Sequence, residues 1–97
     1  MKPEQLIKEI IAHQAEIIGT DLAMQLAVKY SGVQLANGIL TLPEKMPKEI
    51  VNDLIVGYGQ LFGQSSVEVC LEVIRKHPSN EVDVLVPDTY RSRIKSK

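Results

Sequence analysis

Three glycines fall close together in the second half of the chain, where a nucleotide-binding loop is the first chemistry to consider. Gly57-Tyr58-Gly59 is followed by Gly63. The last glycine comes one residue too late for the dinucleotide-binding pattern G-x-G-x-x-G, and no parallel-sheet strand precedes the cluster. Glycine inside a helix costs about 1 kcal/mol relative to alanine, so the cluster predicts close backbone packing or a bend at Tyr58. A small ligand held by Gly57, Tyr58 and Gly59 is the functional alternative.

Carboxylates and a histidine share one face of the first predicted helix. Glu9, His13 and Glu16 are spaced i, i+4 and i+7. Such groups can bind metals, but this spacing matches no dedicated site, and His77 is far away in sequence. The pattern therefore predicts a solvated face with local charge pairing, and no metal site.

Cys70 is the only cysteine, so no disulfide can form within the chain. A single thiol fits a reducing compartment. Its apolar helical position is typical of a buried, inert thiol, whereas a catalytic cysteine needs a base and an activating environment. The sequence contains no nucleophile elbow or phosphate loop either. We therefore predict no catalytic residue, no cofactor and no enzymatic activity.

Charge is distributed unevenly along the chain. Residues 1–88 contain seven basic and twelve acidic residues, a net charge of −5, whereas residues 89–97 have a net charge of +4. The basic positions of this tail are Arg91, Arg93, Lys95 and Lys97. Such a tail can contact phosphates and release counterions, which makes nucleic-acid binding an alternative function. A flexible, solubilising end is the simpler interpretation.

Two halves of the chain repeat the same apolar pattern with an offset of 44 residues. Pro3 and Pro47 each suit the first turn of a helix, and a glycine, Gly19 or Gly63, follows each first helix. The first apolar stripe recurs in the second copy with the same spacing. Its members are Leu6, Ile7, Ile10, Ile11, Ile17 and Ile18 in the first copy, and Ile50, Val51, Leu54, Ile55, Leu61 and Phe62 in the second.

Asn37-Gly38 separates two short β-prone runs and predicts a hairpin with a type I′ turn. A two-residue turn pairs Leu35 with Leu40 and Gln34 with Thr41. The apolar face of this hairpin consists of Val33, Leu35, Leu40 and Leu42, so turn chemistry and side-chain alternation agree.

Alternation of Val82, Val84 and Val86 with Asp83 and Leu85 predicts a third short strand. The expected fold is a small α+β domain over residues 1–88, with repeats at 1–44 and 45–88, the order α-α-β-β-α-α-β, and a flexible tail over 89–97. A three-stranded sheet leaves two edges that can pair with another chain. The predicted interface residues are therefore the hairpin face and these three valines.

The segment Ile17-Ile18-Gly19, followed by Leu22-Ala23, Leu26-Ala27 and Tyr30-Ser31-Gly32-Val33, closes on Leu42-Pro43. It resembles the N-terminal dimerisation region of Mor-type phage transcription activators over roughly residues 10–43, with an echo in 54–87. The resemblance implies dimer formation through helices and strands, and a phage or prophage origin. The family's helix-turn-helix is not found here, and the Asn37-Gly38 hairpin departs from its single strand, so DNA binding is not implied.

These observations favour a non-enzymatic interaction module, a small regulator or adaptor that forms a homodimer or binds a different protein. A nucleic-acid-binding regulator is the alternative, and a small-ligand sensor the third hypothesis. No stretch reaches the roughly 18 apolar residues of a membrane span, and the start of the chain lacks signal-peptide regions. We therefore expect a cytoplasmic protein with no membrane partner.

Overall fold

Two helical hairpins with identical element lengths form the body of the protein. The computed structural model describes residues 2–95. The first hairpin consists of α1 (Pro3–Ile18) and α2 (Thr20–Ser31), and the second of α3 (Pro47–Phe62) and α4 (Gln64–Arg75). All four helix boundaries of the second copy lie 44 residues after those of the first, as the sequence repeat predicts.

One glycine connects the two helices of each hairpin. Gly19 has φ 94° and Gly63 has φ 74°, values at which a residue with a Cβ is strained. Each glycine N–H donates to the carbonyl four residues earlier, Ala15 O at 2.9 Å and Gly59 O at 2.8 Å. The chain can therefore reverse direction within a single residue.

The four long helices pack in a ring, in which α1 contacts α2 and α4, and α3 contacts the same two helices. Two buried polar side chains at equivalent repeat positions link the copies. Gln14 Nε2 of α1 donates to Ser66 O of α4 at 3.0 Å, and Tyr58 Oη of α3 donates to Ala23 O of α2 at 2.9 Å. Each first helix is thus bonded to the second helix of the other copy.

The predicted apolar stripes are buried in the first three turns of α1 and α3 but not at the C-terminal ends of these helices. The first four positions of each stripe are buried, from Leu6 to Ile11 and from Ile50 to Ile55. Ile17, Leu61 and Phe62, at the ends of these helices, are exposed instead. The core also includes residues of α2 and α4, together with Val33, Leu40, Val82, Leu85 and Val86.

β1 (Gln34–Ala36) and β2 (Ile39–Thr41) form an antiparallel hairpin in the predicted register, Gln34 with Thr41 and Leu35 with Leu40. With this hairpin and the helices, the described residues form a small α+β domain, which confirms the predicted class. Among the described residues, no helix combines the length and the apolar character needed to cross a bilayer.

The prediction of a third strand is wrong. Residues 79–85 form α5 (Ser79–Val82) and a 3-10 turn (Asp83–Leu85). Val82, Leu85 and Val86 are buried while Val84 is exposed, a spacing of i, i+3 and i+4 that belongs to a helical turn. The alternation of valines concealed this period, because Leu85 sits between two of them.

The predicted flexible tail also differs, because α6 (Asp88–Lys95) occupies most of it. Tyr90 and Ile94, four residues apart, pack against the core on one face of this helix. Arg91 and Arg93 form ion pairs with Asp83 and Glu68. Packing and charge pairing therefore hold the segment against α4.

At Gly57 the backbone of α3 lies too close to Tyr30 of α2 to leave room for a side chain. A methyl group placed there would be 2.6 Å from Tyr30 Cγ and 2.7 Å from Tyr30 Cβ. We predict that Gly57→Ala lowers the free energy of unfolding by about 1–3 kcal/mol, although alanine is the better helix former by about 1 kcal/mol. Urea denaturation measures the loss.

A double-mutant cycle identifies the cause of that loss. In a Tyr30→Ala background, Gly57→Ala should become neutral or stabilising, because the clash is gone and helix propensity is left. Gly59→Ala is the matched control, since its Cβ meets only the terminal Val67 Cγ2, at 2.9 Å, and should cost less. An equal cost of Gly57→Ala in both backgrounds would contradict the packing explanation.

Candidate interaction groove

The turn between the two strands determines which side chains the hairpin presents. Asn37 has φ 55° and Gly38 has φ 78°, the positive values that a type I′ turn requires at both central residues. Leu35 and Leu40 are directly paired and lie on the same face. Leu40 is buried, whereas Leu35 is 47% exposed, so this face is only partly covered by the helices.

A groove of about 660 Å³ separates the hairpin from α1 and α2. Its floor and walls are mainly apolar side chains, and charged residues lie at its rim. We call it the hairpin groove. The lining residues are Lys8, Ile11, Ala12, Ala15, Glu16, Thr20, Met24, Leu35, Gly38 and Leu40.

Apolar surface continues from the hairpin groove in two directions. Met24 and Leu35 also line a shallower depression that reaches Val28 on α2. Leu40 and Gly38 line another that includes Ile39, a side chain that is 67% exposed. Contiguous exposed apolar surface of this kind marks interaction sites on soluble proteins.

Charges of opposite sign mark two ends of the groove on α1. Lys8 and Glu16 are eight residues apart, about 12 Å along a helix, and both line the groove. Ala12 lies midway between them, and Ala12 and Ala15 line the groove between the two charges. Small side chains let another backbone approach closely, so this part of α1 is suited to contact with a second helix.

The structure separates the predicted interface residues into two groups. Leu35 and Leu40 line the groove, while Val33 is fully buried and Leu42 packs against the core. Val82 and Val86 are buried and Val84 is 75% exposed, all in the turn that replaces the predicted strand. Only the central hairpin pair therefore belongs to the groove.

The predicted ligand residues lie at a helix–helix contact. The Tyr30 side chain occupies the space beside Gly57, and Val67 lies beside Gly59. Tyr58 is fully buried, and its hydroxyl donates to Ala23 O. The glycines thus allow close packing, which was the structural interpretation of the cluster.

Glu9 and His13 lie beside α4 and the residues that follow it. His77 Nε2 is 2.7 Å from Glu9 Oε1, and His13 Nδ1 is 2.9 Å from Glu9 O. The Glu9 carboxylate thus contacts His77, a residue far away in sequence. Within residues 2–95, no group of histidine, cysteine and acidic side chains has a geometry that could hold a metal ion.

Both arginines of the predicted nucleic-acid tail are bonded within the chain. Arg91 Nη1 donates to Asp83 Oδ1 at 2.6 Å, and Arg93 pairs with Glu68. Lys95 ends α6, and Lys97 lies outside the described residues. The two arginine charges are therefore largely balanced by acids of the body.

Sequence reasoning did not identify the helix side of the groove. Ile11 was assigned to the core stripe, and Ala12, Ala15 and Met24 were not singled out. Ala12 widens the apolar face of α1 beyond the part that packs against the core, and Ala15 lies at the edge of that part; this width was the available signal. Their meeting with Leu35 and Leu40 is a tertiary juxtaposition, which periodicity cannot predict.

Cys70 has the surroundings of an inert thiol. It is fully buried, and Gln14 Nε2 lies 3.3 Å from its sulfur. Burial raises the pKa of the Cys70 thiol from 9.0 to about 11, because desolvation disfavours the thiolate, and the hydrogen bond from Gln14 acts in the opposite direction. Thiolate chemistry at neutral pH is accordingly suppressed.

Comparison with models of protein families, with curated proteins and with solved structures finds no match for this chain.

Titration of Cys70 should make stability fall at alkaline pH. The pKa of the Cys70 thiol is higher in the folded protein than in the unfolded chain. The contribution of the buried thiol to the free energy of unfolding is therefore complete below pH 9.0 and is lost as the pH rises through about 11. Between these values the thiol should reduce the free energy of unfolding by about 1 kcal/mol per pH unit. Denaturation of the wild type and Cys70→Ala across this range measures the difference in slope.

Alkylation of the native protein provides an independent check. Cys70 is the chain's only cysteine, so iodoacetamide incorporation reports on this site alone and should occur only at the rate of unfolding. Rapid labelling of the folded protein, or equal pH slopes for the wild type and Cys70→Ala, would contradict a buried thiol with a raised pKa.

Proposed function

We propose that the protein is a non-enzymatic interaction module, a small cytoplasmic regulator or adaptor that forms a homodimer through the hairpin groove. The observation that carries the proposal is the partly uncovered apolar face around Leu35, enclosed by α1 and α2. Burial of such surface contributes about 25 cal/mol per Å². The resemblance to the dimerisation region of Mor-type activators implies the same use of helices and strands.

A second copy fits the groove because the charges along α1 are self-complementary. In a twofold arrangement, residue i of one subunit meets residue j of the other, and j meets i. If the axis passes near Ala12 and the α1 helices run antiparallel, Lys8 of each subunit lies opposite Glu16 of its partner. Neither side chain forms an ion pair among the described residues, so both charges are available for this contact.

Apolar contacts would supply most of the binding energy in this arrangement. Ala12 and Ala15 permit the two α1 helices to approach, and the hairpins then close on the flanks of the paired helices. Leu35, which is 47% exposed, gains cover in this contact. The charged ends determine the orientation of the subunits more than their affinity.

A charge introduced at Leu35 should dissociate the dimer. Leu35→Glu leaves the core intact, because this side chain is already half exposed, but it places a carboxylate in an apolar contact. We expect the wild type to sediment as a dimer and Leu35→Glu as a monomer with an unchanged circular dichroism spectrum. Sedimentation equilibrium over micromolar to millimolar concentrations makes the measurement.

Two further substitutions locate the interface. Val84→Glu and Leu61→Glu alter side chains that are 75% and 58% exposed and that do not line the groove, so both variants should stay dimeric. Dissociation by Leu61→Glu alone would place the interface at the exposed ends of α1 and α3 instead. A wild-type chain that is monomeric at millimolar concentration would overturn the homodimer.

Reversal of the α1 charges tests the twofold geometry. Lys8→Glu and Glu16→Lys should each weaken the homodimer, because each places like charges opposite one another twice. A mixture of the two variants should form a heterodimer in which every opposing pair is complementary. When one of the two variants is labelled with ¹⁵N, native mass spectrometry distinguishes the three species, and a mixture that shows no preference for the heterodimer would exclude this register.

A further inference from the structure

The turn of the β-hairpin contains two adjacent residues that can react with each other. In an Asn-Gly sequence the backbone nitrogen of the glycine can attack the side-chain amide carbon of the asparagine, because glycine has no side chain to obstruct the approach. Asn37 and Gly38 are both exposed. A Cβ at Gly38 would meet no atom within 4 Å, so a cyclic product has room to form at this position.

Neither reacting group is held by a hydrogen bond within residues 2–95. The Asn37 side chain has no partner in this part of the chain, and the Gly38 N–H has no backbone acceptor there. Asn37 is also not a lining residue of the hairpin groove, although Gly38 is. The two groups can therefore react without first losing a bond to the protein.

The closed turn nevertheless keeps the two groups apart. Asn37 has φ 55°, and ψ at this position of a type I′ turn is about +30°, the mirror image of type I. This ψ places the Gly38 nitrogen on the far side of the Cα–C bond from the Asn37 Cβ, where the amide carbon cannot reach it. Asn37 must leave this conformation before a ring can close, so the reaction requires the hairpin to open.

Opening of the hairpin is a local event. Within the described residues, the two strands pair only with each other, and a two-stranded hairpin alone is marginally stable. Residues 34–39 are all exposed, between the buried side chains of Val33 and Leu40. The turn and β1 can therefore open while the helical body stays folded, because exposed segments open at free energies well below that of global unfolding.

We propose that Asn37 is a deamidation site that reacts when the hairpin opens. The Gly38 nitrogen loses its proton and bonds to Asn37 Cγ, the Cγ–Nδ2 bond breaks, and the amide nitrogen leaves as ammonia, which gives a succinimide. Water then adds to one of the two imide carbonyls. Cleavage of the new bond at Cγ yields aspartate. Cleavage at the original backbone carbonyl yields isoaspartate, in which the main chain runs through the side-chain carbons.

The two products should affect the hairpin differently. Aspartate before glycine still suits a type I′ turn. Isoaspartate adds a methylene group to the main chain of the turn, which no longer matches the pairing of Leu35 with Leu40. The hairpin should then stay open, and Leu35 and Gly38 would no longer form their side of the hairpin groove. The reaction itself does not depend on the proposed homodimer.

Peptide mapping by mass spectrometry tests the site in the full chain, aged in mildly alkaline buffer. Asn52 and Asn80 are internal controls, because each precedes an acidic residue whose side chain obstructs the backbone nitrogen, and trypsin places the three asparagines on different peptides. We expect Asn37 to lose its amide at least about tenfold faster than either control, a difference in activation free energy of about 1.4 kcal/mol. Equal rates at the three positions would overturn the proposal.

Unfolding of the chain tests the requirement for opening. In urea, Asn37 should deamidate faster than in the folded protein, because the turn no longer keeps the two groups apart. The rates at Asn52 and Asn80 in the same samples correct for the effect of urea on the chemistry. Equal corrected rates for Asn37 in the folded and unfolded chains would show that the closed turn gives no protection, which would contradict the proposed mechanism.

Two substitutions separate the modification from its consequence. Asn37→Gly suits a type I′ turn and has no amide to lose, and Asn37→Asp reproduces the aspartate product. The nuclear Overhauser contact between Leu35 and Leu40 should persist in both fresh variants and disappear in the isoaspartate form, isolated from aged wild type by chromatography. A contact that persists in the isoaspartate form would overturn the predicted opening. Its loss in fresh Asn37→Asp would assign the effect to charge instead of main-chain length.

Discussion

The close contact between Gly57 and Tyr30 is the constraint from which the rest of the architecture follows. A side chain at residue 57 would overlap the Tyr30 ring, so α2 and α3 can pack at this distance only with glycine at that position. Tyr58 Oη, on the same helix turn, bonds Ala23 O, which ties α3 to α2 at a second point. These two contacts fix α2, and α2 in turn fixes the start of the hairpin, since Gly32 and the buried Val33 follow it directly. The hairpin groove thus depends on packing that lies outside it.

The two copies share their helices and differ in the segments that follow them. In the first copy the β1–β2 hairpin follows α2. In the second copy α5, the 3-10 turn and α6 follow α4 instead. The hairpin groove uses β1 and β2, which have no counterpart in the second copy. The repeated helices supply a nearly symmetric core, in which Gln14 and Tyr58 occupy equivalent positions. Binding specificity at the hairpin groove would therefore come from the segments that the two copies do not share.

Local rules predicted the parts of this fold whose causes are local. Asn37-Gly38 determines the hairpin register because two adjacent residues with positive φ leave few alternatives, and Gly19 and Gly63 mark the helix ends for the same reason. The third strand was mispredicted because burial of Val82, Leu85 and Val86 depends on where α3 lies, which no short window contains. The hairpin groove escaped prediction for a related reason. It brings together residues of α1, α2 and the hairpin, and the apolar pattern indicates only that those faces are apolar.

The uneven distribution of charge acquires a structural meaning once α6 is in place. An acidic body and a basic end suggest a surface prepared for a polyanion, yet Arg91 and Arg93 bond to Asp83 and Glu68. The Lys48 ammonium, followed by Arg91, holds the pKa of Asp88 below its ordinary value of 3.8. Attraction between the acidic body and the basic C-terminal segment therefore contributes to docking of α6 on α4. The arginine charges that would bind a phosphate backbone are already paired within the chain.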